Sequence, residues 1–140
     1  MRRRQFLIGS AALLAGAALR PPAFAATSRN FATLAQGRIA YVDQGKGPAA
    51  LFLHGFPLSS FQWRDAIPRL SAYRRCLAPD WMGLGQTEVA PGQSVAPAAQ
   101  AEMLAAFLDH LGVGEVDVIA NDSGGAVAQL FMTQIGRAHV

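Results

Sequence analysis

The chain has 140 residues, 51% of them hydrophobic, with one cysteine, three histidines and a formal net charge of +3. A single cysteine excludes an intrachain disulfide and a cysteine-based metal site, and the histidines are not spaced as zinc ligands. The charge does not describe a nucleic-acid surface: Arg2, Arg3, Arg4 and Arg20 lie in the first segment, and without them 8 basic residues face 9 acidic ones, leaving no basic patch to hold phosphates.

Arg2-Arg3-Arg4 is a charged start, Phe6 to Leu19 an apolar stretch, and Ala23-Phe24-Ala25 a small-residue cleavage site before Ala26. Residues 1–25 therefore have the form of a secretory signal peptide. Arg3-Arg4-Gln5-Phe6-Leu7 resembles a twin-arginine export signal, which routes already folded proteins. The apolar run is shorter than the ~20 residues a membrane span needs. The expectation is cleavage, no stable membrane insertion, and a periplasmic or secreted bacterial protein.

Downstream, Phe31–Leu34 and Arg38–Val42 are predicted strands around Gln36-Gly37, a hairpin signal. After the Gly45–Pro48 turn, the continuous apolar run Ala49–Leu53 suits a strand buried on both faces of a parallel sheet. It leads directly into His54-Gly55-Phe56-Pro57. Ser59 or Ser60 is placed to cap a helix carrying Trp63, Ile67 and Leu70, which Pro68 should end or kink. Arg75–Ala78 is the next strand, and Asp80–Thr87 a glycine-punctuated loop that opens an irregular region through Pro97. Ala98–Leu111 is a predicted helix with Leu104, Phe107, Leu108 and Leu111 on its apolar face and Gly112 as its stop. Val116–Ala120 is a further strand, and a helical pattern restarts at Gly124 and Gly125. Strands and helices alternating after an opening hairpin indicate an α/β sheet, mostly parallel and flanked by helices.

The stretch from Val116 to Ala128 organises the chain. A strand, a tight polar turn and a helix form the setting of a nucleophile elbow, in which small residues two before and two after the reacting side chain let strand and helix approach. Centred on Asp122, those positions are Ala120 and Gly124, with Gly125 next. Centred on Ser123, they are Asn121 and Gly125, a poorer fit. Asp122 is the expected nucleophile and Ser123 the alternative; without chemistry, Asp122 would be a helix cap.

Three motifs in order, His54-Gly55-Phe56-Pro57, then Asp80-x-x-Gly83-x-Gly85-x-Thr87, then Asn121-Asp122-Ser123-Gly124-Gly125, make the chain resemble the α/β-hydrolase family from about Arg38 to Gln134. With Asp at the elbow it is most similar to epoxide hydrolases, haloalkane dehalogenases and fluoroacetate-dehalogenase-like enzymes. The resemblance implies that residues 26–134 are the N-terminal part of such a domain, truncated after the elbow helix. It implies a small-molecule substrate, no cofactor and no metal. Oxyanion donors would be the backbone N–H groups of Phe56 and Ser123, with His54, Gly55 and Gly124 in support. The general base and acid of such enzymes come later and are absent from this chain.

A carboxylate is already anionic at neutral pH. It can open an epoxide or displace a halide without a base, leaving an alkyl ester on the enzyme. On an ordinary carboxylic ester it would form a high-energy anhydride, so Asp122 argues against a simple esterase and Ser123 for one. Two positions depart from many relatives: Ser123 replaces a Trp, and Phe56 stands where dehalogenases often have Asn or Trp, a mild lean toward epoxide hydrolases. A Ser123-nucleophile acyl hydrolase and a non-catalytic ligand-binding protein on the same fold are the rival readings.

Other residues have plainer expected roles. These are loop organisation for Asp80, packing for Trp63 and Trp81, burial for Cys76, a helix end for His110 and a solvated helix face for Glu102 and Asp109. Finally, Ile135-Gly136-Arg137-Ala138-His139-Val140 is what ATC GGA AGA GCA CAC GTC encodes, the start of a common sequencing adapter. The expectation is that natural sequence ends near Thr133, that His139 is no catalytic base, and that the elbow strand is left with an unpaired edge.

Overall fold

The computed structural model describes residues 29–135 and 138–139. The segment read as an export signal lies outside the described residues, as do Gly136, Arg137 and Val140.

β1 (Asn30–Leu34) and β2 (Gly37–Gln44) form the expected hairpin, with Asn30 opposite Tyr41 and Leu34 opposite Gly37. β3 (Ala49–Leu53) follows, then a 3-10 turn (Ser60–Trp63), α1 (Ile67–Leu70), β4 (Arg75–Pro79) and β5 (Glu88–Val89). α2 (Pro97–His110), β6 (Val116–Ala120), α3 (Ser123–Ile135) and β7 (Ala138–His139) complete the order. The sheet is mixed and runs β1-β2-β4-β3-β6-β7, with β5 attached to β2. β4, β3, β6 and β7 are parallel, while the antiparallel pairs involve β2.

β3 lies in the middle of the parallel block, and Ala50, Leu51, Phe52 and Leu53 are all buried, as its unbroken apolar run requires. One face of the sheet packs on α2 and α3 through Leu51, Leu53, Leu77, Leu104, Phe107 and Phe131. The other packs Val42, Ala50, Phe52, Cys76 and Ala78 against Ile67 and Trp63. Each large side chain so buried contributes about 1.5–3 kcal/mol before conformational entropy is subtracted. Among the described residues, no helix is long and apolar enough to cross a membrane.

Three expectations are corrected. Residues 59–70 do not make one helix: the Ser59 hydroxyl accepts the Phe61 N–H at 3.3 Å and caps only the 3-10 turn. Ser60 caps nothing and is buried. Pro68 stands in the first turn of α1, where no N–H is required, instead of ending a helix. β5 falls within the stretch read as irregular, because two residues carry no periodicity. It is held by Glu88 opposite Arg38, an Arg38–Glu88 ion pair at 2.8 Å, and the Ala40 N–H donating to the Thr87 hydroxyl at 3.0 Å. The outer edge of β6 is not bare, since Val116 pairs with Ala138 and Asp117 with His139. That pairing sets His139 at the end of β6 away from the elbow. Among the described residues, Val118 to Ala120 have no strand on that side.

Candidate active site

The parallel register that places Leu53 beside Ala120 brings the ends of β3 and β6 level. The two loops that follow, His54–Pro57 and Asn121–Ser123, therefore meet at one edge of the sheet. The Asn121 N–H donates to the Leu53 carbonyl at 3.1 Å. The Gly124 and Gly125 N–H groups then donate to the Asn121 and Asp122 carbonyls at 3.0 and 2.9 Å, turning the chain into α3. At the centre of the turn Asp122 has φ +52°, the one positive φ outside glycine among the described residues. That conformation is uncommon for a residue with a Cβ and is tolerated best by Asn and Asp. Ser123 is already the first residue of α3.

The close approach demands small neighbours. A Cβ on Gly124 would lie 2.6 Å from the Leu53 carbonyl oxygen and 2.9 Å from that of His54. A Cβ on Gly55 would lie 2.8 Å from the Asp122 Cβ. Gly125 is different: a Cβ there meets nothing within 4 Å, so the packing at the elbow does not require its small size.

Asp122 Oδ1 accepts the Ser123 N–H at 2.5 Å and the Phe56 N–H at 3.4 Å; Oδ2 takes neither. These donors, Ser123 first and Phe56 second, hold the carboxyl below its ordinary value. The N-terminal end of α3 adds positive potential at the same point. Phe56 reaches the site through its backbone. The residue is 68% exposed, and its bond to Pro57 is cis.

His54 is fully buried and both ring nitrogens are engaged. The Trp81 N–H donates to Nε2 at 3.1 Å, which leaves the proton on Nδ1 to donate to the Gly55 carbonyl at 2.9 Å. Trp81 returns a bond from its indole N–H to the His54 carbonyl at 2.7 Å. Burial holds the imidazole below its usual pKa, in the neutral form this pattern needs.

A cavity of about 350 Å³ opens beside Ser123 and Phe56. The Trp81–Leu84 loop, Val95, Pro97, and Ala126 and Val127 of α3 also line it. Trp81 lines it, whereas Trp63 packs on Phe52 at 5.4 Å between ring centroids. His110 is in the last turn of α2, and Cys76 is buried in the sheet.

Two supporting residues escaped sequence reasoning. Gln100 on α2 accepts the Met82 N–H at 3.1 Å and donates to the Met82 and Val95 carbonyls at 3.0 and 3.3 Å. Gln62 accepts the Gly55 N–H at 2.9 Å. For Gln100, a polar residue among the core positions of a helix was the available signal; Gln62 offered none. Asp80 has its expected local role, accepting the Gln86 N–H within its own loop, and exceeds it by binding Arg29 and Ser60 from two distant segments.

Over residues 48–134 the chain matches the sequence profile of the family described as alpha/beta hydrolase fold. Haloalkane dehalogenase 2 of Mycobacterium tuberculosis is 40% identical over 93 residues, covering 66% of this chain and 32% of that protein. The soluble epoxide hydrolase of a Corynebacterium species is 38% identical over 94 residues, covering 67% and 32%. Among solved structures, a haloalkane dehalogenase loop variant from Bradyrhizobium elkanii has a TM-score of 0.73 at 33% identity, over 79% of this chain and 37% of that one. The chain thus spans about a third of the length of the curated relatives it matches. With the strand order, the elbow and the profile match in agreement, this chain belongs to the α/β-hydrolase family.

Proposed function

We propose that the full-length protein is a hydrolase in which Asp122 attacks a saturated carbon of an epoxide or carbon–halogen substrate. The observation that carries this reading is the arrangement of the Asp122 carboxylate. It stands on a strained turn, ionised, with Oδ1 facing two backbone N–H groups and Oδ2 facing none. Oδ2 forms the new C–O bond while the carbon–halogen or carbon–oxygen bond breaks; a halide leaves with the electron pair, whereas an epoxide oxygen keeps the pair, stays on the neighbouring carbon and takes a proton from water. Oδ1 then becomes the carbonyl oxygen of the alkyl ester. Water adding to that carbonyl carbon puts negative charge on Oδ1, where the Phe56 and Ser123 N–H groups are already aimed. Collapse releases an alcohol and restores the carboxylate.

Activating that water requires a base. The ring nitrogens of His54 are both committed, so the base is expected from a part of the full-length protein beyond this chain. The names of the relatives, haloalkane dehalogenase and soluble epoxide hydrolase, support both substrate classes. An acyl hydrolase using Ser123 fits less well, because the strained position belongs to Asp122 while Ser123 is helical.

The test is to mix full-length protein with 1-bromobutane or 1,2-epoxybutane, quench in acid within one turnover, and map the modified peptide by mass spectrometry. An alkyl adduct on Asp122 is expected. An adduct on Ser123, or fluorophosphonate labelling there that abolishes turnover, would replace this reading with the acyl-hydrolase one.

A further inference from the structure

We infer that Arg29 is a positioning residue for the cavity: by holding Asp80 and Ser60 it fixes the Trp81–Thr87 loop against which a substrate would lie. The substrate part of this inference rests on the function proposed above.

Asp80 is fully buried between β4 and the cavity loop. Its Oδ1 accepts the Ser60 N–H at 2.7 Å and Arg29 Nη1 at 3.1 Å, and its Oδ2 accepts the Gln86 N–H at 2.9 Å. Its backbone closes the loop at the other end, where the Thr87 hydroxyl donates to the Asp80 carbonyl at 2.8 Å. Between these anchors lie Trp81, Met82, Gly83 and Leu84, which line the cavity. Arg29 Nη1 also donates to the Ser60 hydroxyl oxygen. That donation occupies a lone pair and leaves the Ser60 proton free to point at Asp80. A buried carboxylate without a cation is costly, and among the described residues Arg29 is the cation paired with Asp80. His54 also faces Asp80, but both its nitrogens are engaged elsewhere. Burial pushes the Asp80 carboxyl up, and the donors from Ser60, Gln86 and Arg29 together bring it below its ordinary value.

Losing Arg29 removes one end of this tie without touching Asp122. The loop should loosen, and substrate binding should weaken more than the chemical step. The experiment compares full-length parent, Arg29→Met and Arg29→Lys, measuring kcat and KM with 1-bromobutane and 1,2-epoxybutane together with hydrogen exchange of the 81–87 segment. Arg29→Met is expected to raise KM about tenfold, keep kcat within about twofold, and speed exchange at Gln86. Arg29→Lys, which keeps the charge but not the planar fork, should recover most of the KM. If Arg29→Met does not fold, Ser60→Ala removes one limb of the network and should move KM and exchange in the same direction by less.

Unchanged exchange in 81–87, or a fall in kcat with KM unmoved, overturns the inference. A parent enzyme that forms no ester at Asp122 sinks the proposed function instead, and the exchange measurement still decides the role of Arg29.

Discussion

Asp122 combines two properties that sequence alone could only suggest, a strained backbone and a carboxylate kept ionised by the Ser123 and Phe56 N–H groups. The sign of the pH effect follows. In the proposed reaction the anion attacks, and its pKa lies below the ordinary 3.8. Ester formation at Asp122 should therefore stay flat from neutral pH down to that value and fall only below it; rapid-quench rates across pH measure this. An acid limb near neutrality would mean that some other group controls the attack. Gly124 offers a purely steric test. A methyl group there must displace the Leu53 or His54 carbonyl, so Gly124→Ala in the full-length protein should cost about 1–3 kcal/mol in chemical denaturation. The same change at Gly125, where there is open space, should cost far less on packing grounds. From sequence Gly124 held the position that must be small and Gly125 was only the small residue beside it; what a methyl group at either would strike is a long-range fact that the motif does not record.

Among the elements, α2 is the clearest case of agreement. It was expected at Ala98–Leu111 and runs Pro97–His110, since its apolar spacing and its Gly112 stop are local signals. Helix existence and strand content were legible for the same reason. The failures have two causes, long-range pairing for one and a misread local boundary for the other. β5 exists because β2 offers it a partner, and Pro68 begins α1 instead of ending a longer helix. Gln100 shows why such partners stay hidden: its bonds reach Met82, 18 residues away. Replacing it with Ala would leave the Met82 N–H and carbonyl unsatisfied. The expected outcome is a loss of about 2 kcal/mol with a raised KM, read by thermal unfolding and steady-state kinetics. A variant with unaltered stability and KM would show that the clamp does not matter.

For the molecule as a whole, the informative facts are the open stretch of β6 and the share of its relatives that the chain spans. Val118 to Ala120 present backbone donors and acceptors on one side with no strand against them among the described residues, and exposed edges of this kind invite association. We expect the 140-residue chain to be marginally folded, to associate as its concentration rises, and to show no sustained turnover. Sedimentation and a product assay on 1-bromobutane and 1,2-epoxybutane check this, and repeated turnover by this chain would contradict it.

The positive φ at Asp122 has a consequence for how such a protein can change. The conformation is uncommon for residues with a Cβ, least so for Asn and Asp, and nearly free for glycine. On the proposed function, it is the chemistry that requires a carboxylate at a position whose backbone glycine would fit as well. Asp122→Gly in the full-length protein should form no ester, yet melt no lower than its parent. On the proposed function, activity and backbone strain then make opposite demands at this one residue. A lineage released from selection for the proposed catalysis would be free to lose this carboxylate while keeping its shape.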